Sequence, residues 1–167
     1  MRVYLVRHAE AVDRIGTMTD SARYLTARGR ASFREAAARF RETGATPAFL
    51  FTSPCIRAVQ TAEILSEAVR HEGAVIVAPQ LSPGFDADGL NAVLDECPGA
   101  REVALVGHEP DLGRLLTLLL DLKTAYAMRK GAIAAVDVPD SGNRSQGTFA
   151  WLLSGENRIS EISGLSG

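Results

Sequence analysis

Arg2-Val3-Tyr4-Leu5-Val6-Arg7-His8 decides the fold. Residues 2–6 are rich in β-branched and aromatic types and apolar on consecutive positions, as expected of a strand buried on both faces of a sheet. Arg7 and His8 then place polar chemistry at its carboxyl end. Working outward, the same unit recurs: a short apolar run, a turn, and a longer segment of helical period. That alternation predicts an α/β domain of three layers, α/β/α, with a mostly parallel central sheet.

Residues 11–25, with Gly16, Thr17, Thr19, Asp20 and Ser21, read as a loop. Thr26 is a helix N-cap, and Phe33, Ala36, Ala37 and Phe40 recur at helical spacing until Gly44 and Pro47. The arginines of this helix, Arg28, Arg30, Arg34, Arg39 and Arg41, interleave with Glu35 and Glu42 without aromatics, the pattern of a solvated face. Ala48 to Phe51 is a second strand. Pro54 is expected in the first turn of the next helix, which carries Arg57, Ala58, Thr61, Ala62, Leu65 and Val69. A third strand is expected over 74–78, a loop over 81–89, a short helix around 90–96, a fourth strand over 103–106 and a leucine-rich helix over 111–122. Residues 131–138 and 148–153 flank a turn-rich loop, 139–143, and predict an antiparallel hairpin. The final residues, Gly- and Ser-rich, read as a loose tail.

Composition bounds the function. The 167 residues hold 18 Lys plus Arg and 20 Asp plus Glu, a formal charge of −2, so a strongly basic nucleic-acid binder is not expected. Length fits one domain over 1–167, and a chain of this size buries roughly 68–70% of its unfolded surface without needing disulfides or metal. Cys55 and Cys97 are too few and too far apart for a disulfide framework or a paired zinc site, and read as small buried hydrophobes. The opening apolar run is shorter than a signal-peptide core, and no stretch approaches a membrane span, so a cytoplasmic protein with no membrane partner is expected. The leucines of 112–122 fall on more than one helix face, fitting either deep burial or a dimer surface.

Three strand ends carry groups able to contact an anion: Arg7-His8, the Ser53-Pro54 turn leading to Arg57, and Gly107-His108. Ligands of open α/β sheets bind outside the carboxyl ends of the strands, so these junctions are expected to converge. Arg7 and Arg57 offer planar charged forks for phosphate oxygens, and the helix starts after 53 and 108 add amide donors. Two histidines in such a pocket divide two jobs. A neutral imidazole, its other nitrogen donating to a backbone carbonyl, attacks phosphorus; an imidazolium among the phosphate oxygens neutralises charge developing in transfer. His71, near the end of the second helix, reads as structural. No third carboxylate or cysteine is spaced to join His8 and His108 in a metal site, and no cofactor is expected.

Four stretches carry a family resemblance. Val6-Arg7-His8-Ala9-Glu10 resembles the Arg-His-Gly signature of the histidine phosphatase superfamily, whose fold is phosphoglycerate-mutase-like. Leu25-Thr26-Ala27-Arg28-Gly29 is similar to its Leu-Thr-x-x-Gly element, Ser53 through Ala62 to its Ser-Pro-x-x-Arg-Ala-x-x-Thr-Ala element, and Val106 through Pro110 to its distal Gly-His. They occur in family order. The short chain and Gly107-His108-Glu109-Pro110-Asp111-Leu112 look most like the SixA branch of small protein-phosphohistidine phosphatases. The resemblance implies His8 as nucleophile, with Arg7, Arg57 and His108 completing a phosphate pocket. It also brings Arg23 near the site, because an Arg just before Leu-Thr occurs in SixA-like sequences.

Two departures bear on chemistry. Ala9 stands where the family usually has Gly, which bars backbone angles reserved for glycine. Phosphoester-cleaving members usually carry a Glu general acid after the third strand, where this chain reads Leu81-Ser82-Pro83. An alkoxide profits from such an acid, whereas a phosphorylated imidazole leaves from nitrogen once protonated by solvent. The expectation is therefore hydrolysis of phosphohistidine on a protein, through a phospho-His8 intermediate. The alternatives are a phosphatase of small phosphoesters or nucleotides using Asp86, Asp88 or Glu109 as acid, and a phosphate-binding module without turnover. Glu109, beside His108, is the substitute acid and substrate-binding carboxylate singled out; Glu10 is expected to orient the loop after His8.

Overall fold

The computed structural model describes residues 1–140, 144 and 146–165. Its elements in chain order are β1 (Arg2–Arg7), α1 (Ala27–Glu42), β2 (Phe49–Thr52), α2 (Ile56–Val69), β3 (Val75–Val77), α3 (Ala87–Asp95), β4 (Glu102–Gly107), α4 (Asp111–Leu119), β5 (Ile133–Asp137), β6 (Thr148–Ser154) and β7 (Asn157–Ile159). The seven strands form one sheet in the order β3-β2-β4-β1-β5-β6-β7. β1, β2, β3 and β4 are mutually parallel, while β5, β6 and β7 join by antiparallel pairings.

β1 lies inside the sheet, between β4 and β5, which is why its apolar residues are consecutive. Val3 and Leu5 face a core built with α3 and α4, whereas Tyr4 and Val6 face one built with α1 and α2. The period-2 alternation of a strand thus feeds both outer layers of the expected three-layer architecture. On the α1/α2 side Tyr4 meets Phe40 edge-on at 4.8 Å between centroids and Trp151 at 5.8 Å. The other core is aliphatic: Leu112, Leu115, Leu116 and Leu119 of α4 are buried in it, and Leu118 is exposed. Deep burial therefore accounts for most of the leucine run.

Several boundaries differ from the sequence reading. Pro54 precedes α2 rather than opening it, because Ser53 Oγ accepts from Cys55 N (3.3 Å) and holds 53–55 as a turn, with Cys55 at the N-cap. α3 begins at Ala87, not near 90: Asp86 caps it by accepting from Gly89 N at 3.0 Å. α4 stops at Leu119, and Asp121 adopts a left-handed conformation that ends any helical continuation to 122. The 11–25 segment is pinned by a bridge between Ala11 and Leu25 and contains a 3-10 turn at Asp20–Ala22. The expected hairpin is β5–β6. Of its connecting loop, 141–143 and 145 lie outside the described residues.

Up to residue 165 the tail is tied down rather than loose: Asn157–Ile159 pair with β6 as a seventh strand, and Leu165 is buried; 166–167 lie outside the described residues. Cys55 and Cys97 are buried free thiols. Arg28, Arg34 and Arg41 of α1 are exposed, as a solvated face requires. No helix among the described residues is long and apolar enough to cross a membrane.

Candidate active site

The parallel register places three strand ends side by side. Arg7 pairs with Gly107 and Thr52 with Val106, so the next residues are His8, Ser53 and His108. The ladder runs one step further, His8 N donating to the Gly107 carbonyl at 3.1 Å and Ser53 N to that of Val106 at 3.0 Å. The His8 and His108 rings lie 5.2 Å apart between centroids. Antiparallel β5 approaches from the other side, and the Gly131 amide bonds the Arg7 and His8 carbonyls, both at 3.2 Å. This brings the loop before β5 to the same end of the sheet.

His8 is oriented by its neighbours. Its Nδ1 donates to the Ala9 carbonyl at 2.7 Å, since a carbonyl can only accept, and the Nε2 lone pair accepts from Arg57 Nε at 3.2 Å. Burial, then His108, Arg57 and Arg7, push the imidazole down to about 3, so it is neutral near pH 7. The following turn is tied to α2: Ala9 N donates to Thr61 Oγ1 (3.1 Å), which donates to the Arg57 carbonyl (2.7 Å). Ala9 takes no left-handed conformation; among the described residues the non-glycine ones that do are Arg70 and Asp121. Alanine is therefore unstrained here.

Glu10 orients the loop through Thr26. Its carbonyl accepts from Thr26 N at 3.0 Å and its carboxylate from Thr26 Oγ1 at 3.2 Å, while Thr26 Oγ1 also caps α1 at Gly29 N. A Cβ on Gly29 would overlap the Glu10 carbonyl, so the glycine permits a close approach between helix and loop.

Arg57 links the cluster. Its Nη2 donates to His108 Nδ1 at 3.3 Å and to Asp20 Oδ2 at 2.8 Å, and its Nη1 donates to the Asp20 carbonyl at 2.6 Å. Guanidinium groups only donate, so His108 Nδ1 is the acceptor and its Nε2 carries the proton toward Ser53 Oγ, 2.7 Å away. His108 is thus neutral, pushed down to about 4 by burial and then Arg57. A cation already occupies Nδ1 here, so the imidazolium expected among phosphate oxygens would need a phosphate dianion to supply the opposing charge.

Arg7 points another way, donating through Nη1 to the Met128 carbonyl, and its buried Nε has no partner among the described residues. An unmatched cationic donor is costly, and an anion would relieve it. Glu109 shares that flank: Oε1 accepts from Met128 N at 3.3 Å, and burial raises its carboxyl above the usual range against the pull of Arg7. Arg23 donates to the Val12 carbonyl (2.7 Å) and to Asp20 Oδ1 (3.1 Å), reaching the site through Asp20. Asp86 and Asp88 are not brought in. Asp86 is the exposed cap of α3, Asp88 an exposed residue of its first turn, and neither makes a polar contact with the histidines or Arg57 among the described residues.

Sequence reasoning missed two carboxylates. Asp20 pairs with Arg57 at 2.8 Å; its signal was the spacing to Arg23, three residues on, at the end of a loop. Asp111, buried at the start of α4, accepts from Gly84 N at 2.7 Å and ties the loop before α3 to the His108 turn. No group of three or more His, Cys, Asp or Glu among the described residues is placed to hold a metal ion.

Residues 3–82 match the model of the histidine phosphatase superfamily (branch 1). The chain is 30% identical over 156 residues to the phosphohistidine phosphatase SixA of Escherichia coli strain K12, covering 92% of this chain and 94% of that one. It superposes on the structure of the protein histidine phosphatase SixA complexed with tungstate with a TM-score of 0.81 at 29% identity, covering 92% and 97% of the two chains. The alpha-ribazole phosphatase of Shigella flexneri shares the fold, with a TM-score of 0.68 at 17% identity over 89% and 94% of the chains. Motifs in order, converging strand ends and a relative matched over nearly its whole length lead to one conclusion: this chain belongs to the histidine phosphatase superfamily.

Proposed function

We propose that residues 1–167 form one domain that hydrolyses phosphohistidine on a protein substrate, through a covalent phospho-His8 intermediate. The observation carrying this reading is the tautomer of His8: Nδ1–H is fixed on the Ala9 carbonyl, leaving the Nε2 lone pair beside Arg57. His8 Nε2 would bond to phosphorus while the substrate's P–N bond breaks. Water would then attack phospho-His8, whose bonding pair returns to Nε2 as phosphate leaves. Arg57 and Arg7 would take the phosphoryl oxygens, and His108, neutral beforehand, would take a proton from solvent at Nδ1 as Arg57 turns to the dianion, and share its charge. Arg23 would act through Asp20 on the substrate-binding side of the pocket.

Similarity to the SixA proteins supports the substrate class, and the absence of a Glu at Leu81-Ser82-Pro83 supports an N-linked phosphoryl donor. A second reading, a small-phosphoester phosphatase, draws on Glu109, whose raised carboxyl suits a general acid. The test is phosphate release from a phosphohistidine-bearing protein by wild type and His8→Ala, with an aryl phosphate alongside. Turnover that disappears in His8→Ala and prefers the histidine substrate is expected. Preference for the aryl ester would favour the second reading, and binding without release from either compound would leave a phosphate-binding module.

A further inference from the structure

Asp20 is the exposed member of the cluster that holds Arg57. His8, Arg57 and His108 are only 8%, 4% and 4% exposed, whereas the Asp20 side chain, on the 3-10 turn over them, is 46% exposed. In-line displacement places the departing group opposite the attacking Nε2, and a protein-borne imidazole enters from solvent. The carboxylate bridges two cations, Arg57 Nη2 at 2.8 Å and Arg23 Nη1 at 3.1 Å, and so stays at the mouth of the pocket as an acceptor. Resting on the phosphohistidine reading above, we propose that Asp20 sets the leaving-group preference of the site, by accepting a hydrogen bond from the protonated second ring nitrogen of the departing imidazole.

The electron count separates two substrate classes. A phosphoimidazole protonated on its second nitrogen is a cationic ring. As the bond from His8 Nε2 to phosphorus forms and the P–N bond breaks, the bonding pair goes to the ring nitrogen, and imidazole leaves neutral without further proton transfer. A carboxylate beside that N–H favours the protonated ring and hence the good leaving group. With a phosphoester the bonding pair goes to oxygen. Negative charge then grows beside Asp20, which its bonds to Arg23 and Arg57 keep below the usual carboxylate range and therefore without a proton to give. One side chain thus assists an N-linked phosphoryl group and opposes an O-linked one.

The experiment measures kcat/KM for a phosphohistidine-bearing protein and for p-nitrophenyl phosphate with the full chain as wild type, Asp20→Asn and Asp20→Glu. Asp20→Asn is expected to lower the ratio of the two on the order of tenfold or more, through loss on the histidine substrate, and Asp20→Glu to restore most of it. Equal losses on both substrates would mean that Asp20 only positions Arg57, and equal gains that it merely obstructs the pocket; either overturns the proposal. Wild type inactive on phosphohistidine would overturn the parent reading and this one together. Wild type active with an unchanged ratio in Asp20→Asn would overturn this one alone.

Discussion

Where β1, β2 and β4 end, the chain becomes polar within a residue or two, at His8, Ser53 and His108; where β6 ends it makes an ordinary reversal through Gly155 into β7. The contrast extends to the side chains beneath. Buried His8, Thr52, Ser53, Arg57, Thr61 and His108 gather at the parallel strand ends, while the antiparallel flank contributes Ile133, Ala134, Ala135, Trp151 and Leu152. Buried polar groups have to be matched by hydrogen bonds, so the parallel ends require partners from several elements. The antiparallel strands are mostly apolar, with Ser154 at the end of β6 their buried polar residue. The chemistry is thus concentrated at one part of the sheet, while both parts build the cores.

The largest expected effect follows from that division. His8→Ala should lower phosphate release by at least about 10³-fold, since no other neutral imidazole has its tautomer fixed this way, while leaving the fold intact. Trp151→Ala, on the other flank, should do the opposite. Trp151 packs against Tyr4 and Phe40 and carries Arg158 over its ring at 5.7 Å, so its loss should cost about 3–5 kcal/mol. Activity per folded molecule should persist. Denaturant unfolding and single-turnover assays on both variants check the separation; a Trp151→Ala protein that is stable but inactive would break it.

Gly29 tests the seam between the two kinds of construction. A methyl group there must push the Glu10 carbonyl away, and Glu10 lies two residues beyond His8. Gly29→Ala should therefore destabilise by about 1–3 kcal/mol despite alanine's better helix propensity, and should lower kcat as well. A gain in stability would show that the loop yields freely and that the close approach is not required.

How much of this was legible in the sequence depends on where each contact originates. Strands β1 and β4 announce themselves by consecutive apolar residues; Arg7, His8 and His108 follow because each stands at or just beyond a strand end, and Arg57 because it opens the helix after the β2 turn. The Thr26 cap was readable from its own side chain. The Asp86 cap was not, because Asp-Ala-Asp-Gly at 86–89 reads equally as a turn. β7, Asn157-Arg158-Ile159, has a single apolar residue, as an edge strand exposed to solvent allows, and so left no periodic signal. The Met128 carbonyl that holds Arg7 is a main-chain atom, to which composition is blind. Asp20 was visible only as a turn residue: its place beside Arg57 arises from the path of the loop over α2, a tertiary fact.

A last effect separates the two histidines from the rest of the molecule by pH. Both are held neutral in the folded chain, His8 down to about 3 and His108 down to about 4, whereas in an unfolded chain each would titrate near its ordinary 6.5. Below about 6.5 the unfolded state therefore binds protons that the folded state refuses, so unfolding becomes more favourable as pH falls. The loss should accumulate from about pH 6.5 down toward pH 4 and contribute nothing above neutrality. Replacing both by Gln, which keeps a polar side chain but cannot titrate there, should flatten the dependence of Tm on pH over that window. A slope unchanged in the double variant would mean that these rings accept protons in place. The bonds from His8 Nδ1 to Ala9 and from Arg57 to His108 Nδ1 would then not fix the neutral forms on which attack at phosphorus depends.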